Sequence, residues 1–420
     1  MFNFDTPIAR EHSHCEKYDG RMAKFGREDV VPLWVADMDF AAPPCVQEAL
    51  AQRLAHPVLG YSFAPDSLYE ALYAWFARRH AWQIDPAQVM LTPGVVPSLF
   101  AAVQALTEEG DGVIVPTPVY PPFFAAVERS QRKLLACPLK MAGNARCYDT
   151  DTTANITNDA VAPASGRHDA CRYELDFEHL EKLAPKAKMI LLCSPHNPVG
   201  RVWSKEELTQ LIDIALRHNL IIVSDDIHCD LVLRPAPNAQ HPTNKHIPIA
   251  TLAPKELRLV TAIAPSKTFN IPGLNGSALV VSHAQDKRAI SQVLARLPVS
   301  PFNPLTMAAF EAAYAQGESW LEALLPYLSA NRDWVIQQLV GSPITPNCPE
   351  ATALMWLDCR ALGKNNAELK EFFVQQAGLG LNDGQSFGAN GEGFMRLNIG
   401  TQRAVLVQAL GLLGEALSML

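Results

Sequence analysis

Two apolar runs, Met189 to Ser194 (MILLCS) and Leu220 to Ser224 (LIIVS), stand either side of a stretch with helical periodicity. A run that is apolar at nearly every position reads as a strand buried on both faces. Between the two, Ser204 precedes Glu207 by three residues, a capping box. Leu208, Leu211, Ile212 and Leu216 then recur on one helical face. Strand, helix and strand at this pitch form a βαβ unit, which implies a mostly parallel sheet. Gly112 to Val115 (GVIV), Leu259 to Ala264 (LVTAIA) and Ser277 to Ser282 (SALVVS) add further strands. The expected fold is therefore α/β, with ligands bound beyond the carboxyl ends of the strands.

Beyond about residue 295 the pattern changes to long helical stretches, Pro304 to Ala315 and Ser319 to Leu339, the second expected to kink or break at Pro326. Short strands at Thr352 to Asp358 and Phe394 to Ile399 and a closing helix over Thr401 to Leu420 predict a smaller α+β domain. Residues 46–295 then form the large domain, 296–420 the small one, and 1–45 an N-terminal segment packed with the small domain. Met141 to Arg172 is polar and aperiodic and reads as an inserted surface loop, spanning about 141–172.

Composition narrows the partners. Lys and Arg number 35 against 43 Asp and Glu, a formal charge of −8, which argues against nucleic acid as the main ligand. The nine cysteines include no Cys-x-x-Cys pair, so reduced thiols are expected. Residues 1–10 carry Asp5 and no apolar core, and no apolar run approaches the ~20 residues of a membrane span. A cytoplasmic protein acting on a small molecule is the expectation, without a membrane partner.

The chemistry concentrates at three strand ends. Lys267 follows the strand Leu259 to Ala264 within Ala264-Pro265-Ser266-Lys267-Thr268-Phe269-Asn270. A lysine desolvated at a strand end has a lowered pKa and becomes a nucleophilic amine, able to condense with an aldehyde. Asp225 closes the strand Leu220 to Ser224, and Asn197 follows Met189 to Ser194 within Ser194-Pro195-His196-Asn197-Pro198. Each alone has a bland reading as a solvated lysine, a helix cap or a turn. Together they suit pyridoxal 5'-phosphate, with lysine for its aldehyde, acid for its ring nitrogen and amide for its phenolic oxygen.

The stretches SPHNPVGRVWSKEEL, SDDIHCDLV and APSKTFNIPGL resemble the fold-type I pyridoxal-phosphate enzymes of the class I/II aminotransferase superfamily. PLWVADMDF, LGYSF, TPGVVPS, PTPVYPPFF and FMRLNIG add to the match. The combination is most similar to the MalY/PatB-type cystathionine β-lyases. That resemblance implies a large α/β domain with a mostly parallel seven-stranded sheet flanked by helices. It implies that Lys267 carries the cofactor covalently, that Asp225 pairs with the ring nitrogen, and that Asn197 and His228 reach the phenolic oxygen. Tyr120 would stack on the ring. Gly94, Val95, Val96 and Ser266 would hold the phosphate, and Arg396 would clamp the substrate carboxylate, with Tyr120 and Asn197 beside it. Tyr61 would reach the cofactor of a neighbouring subunit, which implies a homodimer with shared sites.

The sequence departs from many aminotransferases in lacking an Arg shortly after the lysine, where Ile271-Pro272-Gly273-Leu274-Asn275 stands, and in having Asp226 where Glu is common. The implied activity is β-elimination from cystathionine or another S-substituted L-cysteine, giving a thiol, pyruvate and ammonia. An aminotransferase on the same fold and a cofactor-sensing regulatory module remain alternatives. No metal site is expected: His12-Ser13-His14-Cys15 lacks further ligands at suitable spacing. Gly388-x-x-Gly391-x-Gly393 precedes a strand, so it reads as a close backbone approach near Arg396 rather than a dinucleotide fingerprint.

Overall fold

The computed structural model describes residues 2–148, 168–235, 245–296 and 300–420. The central sheet has seven strands: β1 (Val89–Thr92), β2 (Gly112–Thr117), β3 (Lys133–Pro138), β4 (Ala187–Cys193), β5 (Ile221–Asp225), β6 (Leu259–Ile263) and β7 (Ser277–Val281). Their spatial order is β1-β7-β6-β5-β4-β2-β3. From β6 to β3 every pairing is parallel, while β7 runs antiparallel to both of its neighbours.

Alternation along the buried strands feeds two apolar layers. Val113, Val115, Met189, Leu191, Ile221, Val223 and Val260 face helix α1 (Val95–Leu106). Ile114, Ile190, Leu192 and Ile222 face the opposite way, onto Leu208, Leu211, Ile212 and Ala215 of helix α2 (Lys205–Arg217). Ser204 caps α2 as expected: its Oγ accepts from Glu207 N at 3.2 Å, and Glu207 Oε2 accepts from Ser204 N at 2.8 Å. Removing such a cap costs on the order of 1 kcal/mol.

Helices α3 (Pro304–Gln316) and α4 (Glu318–Gln338) enclose an aromatic cluster of Trp75, Phe76, Phe310, Tyr314 and Trp320 that also takes in Phe4 and Phe40 from the N-terminal segment. Full burial of each such ring contributes on the order of 2 kcal/mol. Helix α4 runs through Pro326 rather than ending there. The carbonyl that loses its partner belongs to exposed Glu322, while Trp320, Leu321, Leu324, Leu325 and Leu328 are buried and hold the helix from the other side. Packing outweighs the ~3 kcal/mol cost of an interior proline.

The C-terminal part is a smaller α+β unit. Its antiparallel sheet places β8 (Leu354–Asp358) against β9 (Phe394–Asn398), with Thr345–Pro346 and Asn382–Asp383 at the edges. Helix α5 (Arg403–Ser418) covers it through Leu406, Ala409 and Leu413. Val31–Pro32 pairs in parallel with Leu379–Gly380, which ties the N-terminal segment to this unit. No helix among the described residues is long and apolar enough to cross a membrane.

The expected loop over 141–172 is corrected in part. Lys140–Tyr148 pairs antiparallel with His168–Glu174, so both ends of that stretch form a hairpin. Its ladder is a backbone interaction, and a polar sequence offers no hydrophobic period by which to read it. Residues 149–167, including Asn155-Ile156-Thr157, lie outside the described residues.

Candidate active site at the carboxyl ends of the central strands

Strand register assembles the site. Cys193 at the end of β4 stands opposite Asp225 at the end of β5, and Asp225 stands opposite Ala262 of β6. Ser194 N donates to Asp225 O at 2.9 Å and Asp226 N to Ala262 O at 2.9 Å, which locks the three ends side by side. The turns that follow them carry Asn197, Asp226 to His228, and Ser266 to Asn270. Asn197, Asp225, His228 and Ser266 are buried, while Lys267 is partly accessible.

The charges here are poorly satisfied by the protein itself. Lys267 Nζ finds one weak acceptor, Ala36 O at 3.4 Å. Burial lowers its pKa, with Asp37 and Asp225 pulling the other way. The Asp225 carboxylate accepts a single backbone bond, from Ile227 N at 3.1 Å. Burial raises its pKa to about 7, helped by Asp226. His228 is kept neutral, its pKa pushed down to about 3 by burial and by the nearby Lys267 and Arg396 cations, and its Nδ1 has no partner.

Arg396 on β9 is 3% exposed, and among the described residues it pairs with no carboxylate. It donates to Trp34 O at 2.7 Å, Asn382 Oδ1 at 3.2 Å and Asn197 Oδ1 at 3.3 Å, and lies over the Phe387 ring at 4.9 Å. Its Nε is buried and unpartnered, and burial lowers its pKa to about 10. Tyr120, on the turn after β2, has a raised pKa from burial and senses both Arg396 and Asp225. A buried guanidinium without a counter-ion is a site for a carboxylate.

Helix α1 begins at the same edge. Gly94 precedes it at φ +151°, a conformation open to glycine and strained for other residues. No side chain caps the helix, so the amides of Val95 and Val96 are free to meet an anion. The turn is fastened from below: Ser98 Oγ donates to Gly94 O at 2.7 Å and lies 2.8 Å from Thr92 Oγ1, and Thr92 meets Ser277 at 2.7 Å.

Amine, acid, amide, imidazole, arginine and open helix start therefore lie at one edge of the sheet. Tyr61 does not join them within this chain; it is fully exposed, on the stretch between Pro44–Ala55 and Asp66–His80. The glycine cluster does make a close approach, since a Cβ on Gly391 would lie 2.0 Å from Gly384 O. The expected absence of a metal cluster at His12 to Cys15 has a different counterpart. Among the described residues, His80, Cys229 and Asp230 bring metal-ligand atoms together. Asp230 is already saturated, accepting from Trp75, His80 and Thr268.

Sequence reasoning assigned no role to Asp37, Arg10 or Asn382. Asp37 lay within the quoted WVADMDF stretch, but its neighbours there are set by bonds from residues more than two hundred positions away, such as Asn270 to Met38 and Asn398 to Asp37.

A mostly parallel sheet with an amine and an acid at adjacent strand ends defines a class of α/β enzyme that holds a small cofactor at its topological edge. The model of the aminotransferase class I and II family matches residues 28–412, and the chain belongs to that family. Cystathionine beta-lyase PatB of Bacillus subtilis is 37% identical over 99% of this chain and 100% of its own length. Protein MalY of Escherichia coli is 32% identical over 97% of this chain and 96% of its own. The structure of cystalysin from Treponema denticola, which contains a pyridoxal 5'-phosphate cofactor, matches with TM-score 0.88 and 33% identity over 100% of this chain and 99% of its own.

Proposed function

We propose that the protein is a pyridoxal-phosphate-dependent carbon–sulfur β-lyase acting on S-substituted L-cysteines such as cystathionine. The observation that carries this reading is the amine of Lys267 and the buried acid of Asp225 on adjacent strand ends, each with a single hydrogen bond. The residues fit the cofactor: the amine suits its aldehyde, Asp225 its ring nitrogen, the orphaned His228 Nδ1 and Asn197 its phenolic oxygen, and the open start of α1 with Ser266 its phosphate. Tyr120 supplies a ring to stack against it. When bound, pyridoxal phosphate supplies an electron sink for the pair left behind as the Cα–H bond breaks.

The chain's own residues do the rest. Arg396 holds the substrate carboxylate bidentately, with Asn197 fixing the guanidinium plane. Asp225 keeps the proton on the ring nitrogen, which a neutral partner in the same place would not. Lys267 takes the Cα proton and becomes an ammonium. The Cβ–S bond breaks with both electrons leaving on sulfur, and Lys267 returns its proton to that thiolate. Water then converts the remaining dehydroamino acid to pyruvate and ammonia. We further propose a homodimer in which Tyr61 of each chain completes the partner's phosphate site.

Purified protein should show a visible absorption band that borohydride removes while marking Lys267. Supplied with cystathionine it should release pyruvate and thiol in equal amounts, and Lys267→Ala should abolish release. Transfer of the amino group to a keto acid without thiol release would overturn the lyase assignment.

A further inference from the structure

The N-terminal strap over Trp34 to Asp39 touches both ends of the reactive centre. Trp34 O accepts from Arg396 and Ala36 O from Lys267. Asn398, two residues after Arg396, donates to Val35 O at 2.6 Å and Asp37 O at 2.7 Å. Asn270, three residues after Lys267, bonds Met38 N at 2.8 Å and Met38 O at 2.9 Å. The strap is thus registered by the same two elements that carry the amine and the arginine.

Its two acids are used differently. Asp39 has both oxygens committed, one to Arg10 at 2.6 Å and one to buried Lys17 at 2.7 Å. Asp37 gives one oxygen to Arg10 at 2.6 Å, and its Oδ1 is shut away from solvent with no partner. A buried carboxylate oxygen without a partner is costly, so its placement beside the residue that Lys267 touches calls for a reason.

We propose that Asp37, set beside the carbonyl that Lys267 touches, is a positioning residue for Lys267: its charge stabilises the ammonium that forms when Lys267 takes the substrate's Cα proton. The charged and titratable groups around the amine are Asp37 from the strap, Arg396 from β9, and Asp225 and His228 from β5 and its turn. On the functional reading above, on which this rests, Asp225 is engaged by the ring nitrogen and Arg396 by the substrate carboxylate. Asp37 is then the carboxylate left to balance the ammonium. Both carboxylates pull the amine's pKa upward against burial. Arg10 tempers the pull of Asp37 by holding its other oxygen.

The test reads Lys267 directly. The full-length chain, freed of cofactor, is labelled with formaldehyde and cyanoborohydride across pH, and the Lys267 peptide is followed by mass spectrometry. Only the neutral amine reacts, so the midpoint reports its protonation. Asp37→Asn should lower that midpoint by about one pH unit, and Arg10→Gln, which frees the Asp37 charge, should raise it. General loosening would instead raise it in both variants, toward the ordinary lysine value of 10.5. A midpoint that stays or rises in Asp37→Asn, or stays or falls in Arg10→Gln, overturns the proposal. In the loaded enzyme, Asp37→Asn should lower kcat with KM little changed. The functional reading is judged separately: it fails if pyridoxal phosphate does not protect Lys267 from labelling in the unmodified protein.

Discussion

At the scale of single residues, the site is built from groups held in protonation states that water would not favour. Asp225 illustrates the consequence. Its folded pKa of about 7 lies above the ordinary 3.8 because burial penalises the carboxylate. A raised pKa gives a stability contribution that is complete below the unfolded value and lost as pH rises through the folded one. His228 works in the opposite sense: its pKa of about 3 is depressed from 6.5 by burial, so its contribution is present above the unfolded value and lost as pH falls toward 3. Cofactor-free Asp225→Asn should therefore lose less stability than the parent between pH 4 and pH 7, measured by urea unfolding at several pH values. Equal slopes for the two proteins would refute the burial argument. For Arg396, replacement by Gln removes a charge-assisted pair and should cut kcat/KM by about 100-fold, mostly through KM. Lys267, Asp225 and Asn197 were legible because a strand run followed by a turn announces where a strand ends. Asp37 was not, because its free oxygen is defined by what fails to reach it, and that depends on Arg10, Asn270 and Asn398 meeting across the fold.

At the scale of elements, the sheet was readable where burial on both faces left continuous apolar runs, as in β4, β5, β6 and β7, whose positions are almost all buried. Helix α2 announced itself by its capping box and its apolar face. The hairpin over Lys140–Tyr148 and His168–Glu174 was not readable, since a backbone ladder imprints no pattern on side-chain type. Nor was the continuity of α4 through Pro326, because local propensity is overruled there by tertiary packing. The start of α1 is the element on which cofactor retention turns. Gly94 at φ +151° precedes the open amides, and a side chain there is strained by on the order of 1–3 kcal/mol. Gly94→Val should weaken pyridoxal-phosphate binding about tenfold or more, seen as faster loss of the visible band on dialysis, with the melting temperature of the cofactor-free form changed far less. A variant that kept the cofactor as firmly as the parent would show that α1 does not hold the phosphate.

At the scale of the whole molecule, one surface is at odds with a lone chain. Val58 is 62% exposed, Leu59 58%, Tyr61 110% and Phe63 87%, all on one short irregular stretch between Pro44–Ala55 and Asp66–His80. Isolated apolar residues on a surface need no account, but contiguous ones mark a contact. The proposed homodimer supplies it. A twofold partner would cover this stretch on both chains at once and carry each Tyr61 toward the other's phosphate site. The two roles separate by mutation. Leu59→Glu with Phe63→Glu places charge in the contact and should give a monomer in light scattering that also loses cofactor. Tyr61→Phe removes one hydroxyl while keeping the apolar ring, so it should remain dimeric and hold pyridoxal phosphate less tightly. If the double variant stays dimeric, the contact lies elsewhere. If it becomes a monomer that binds cofactor as firmly as the parent, the site is complete within one chain and Tyr61 has no part in it.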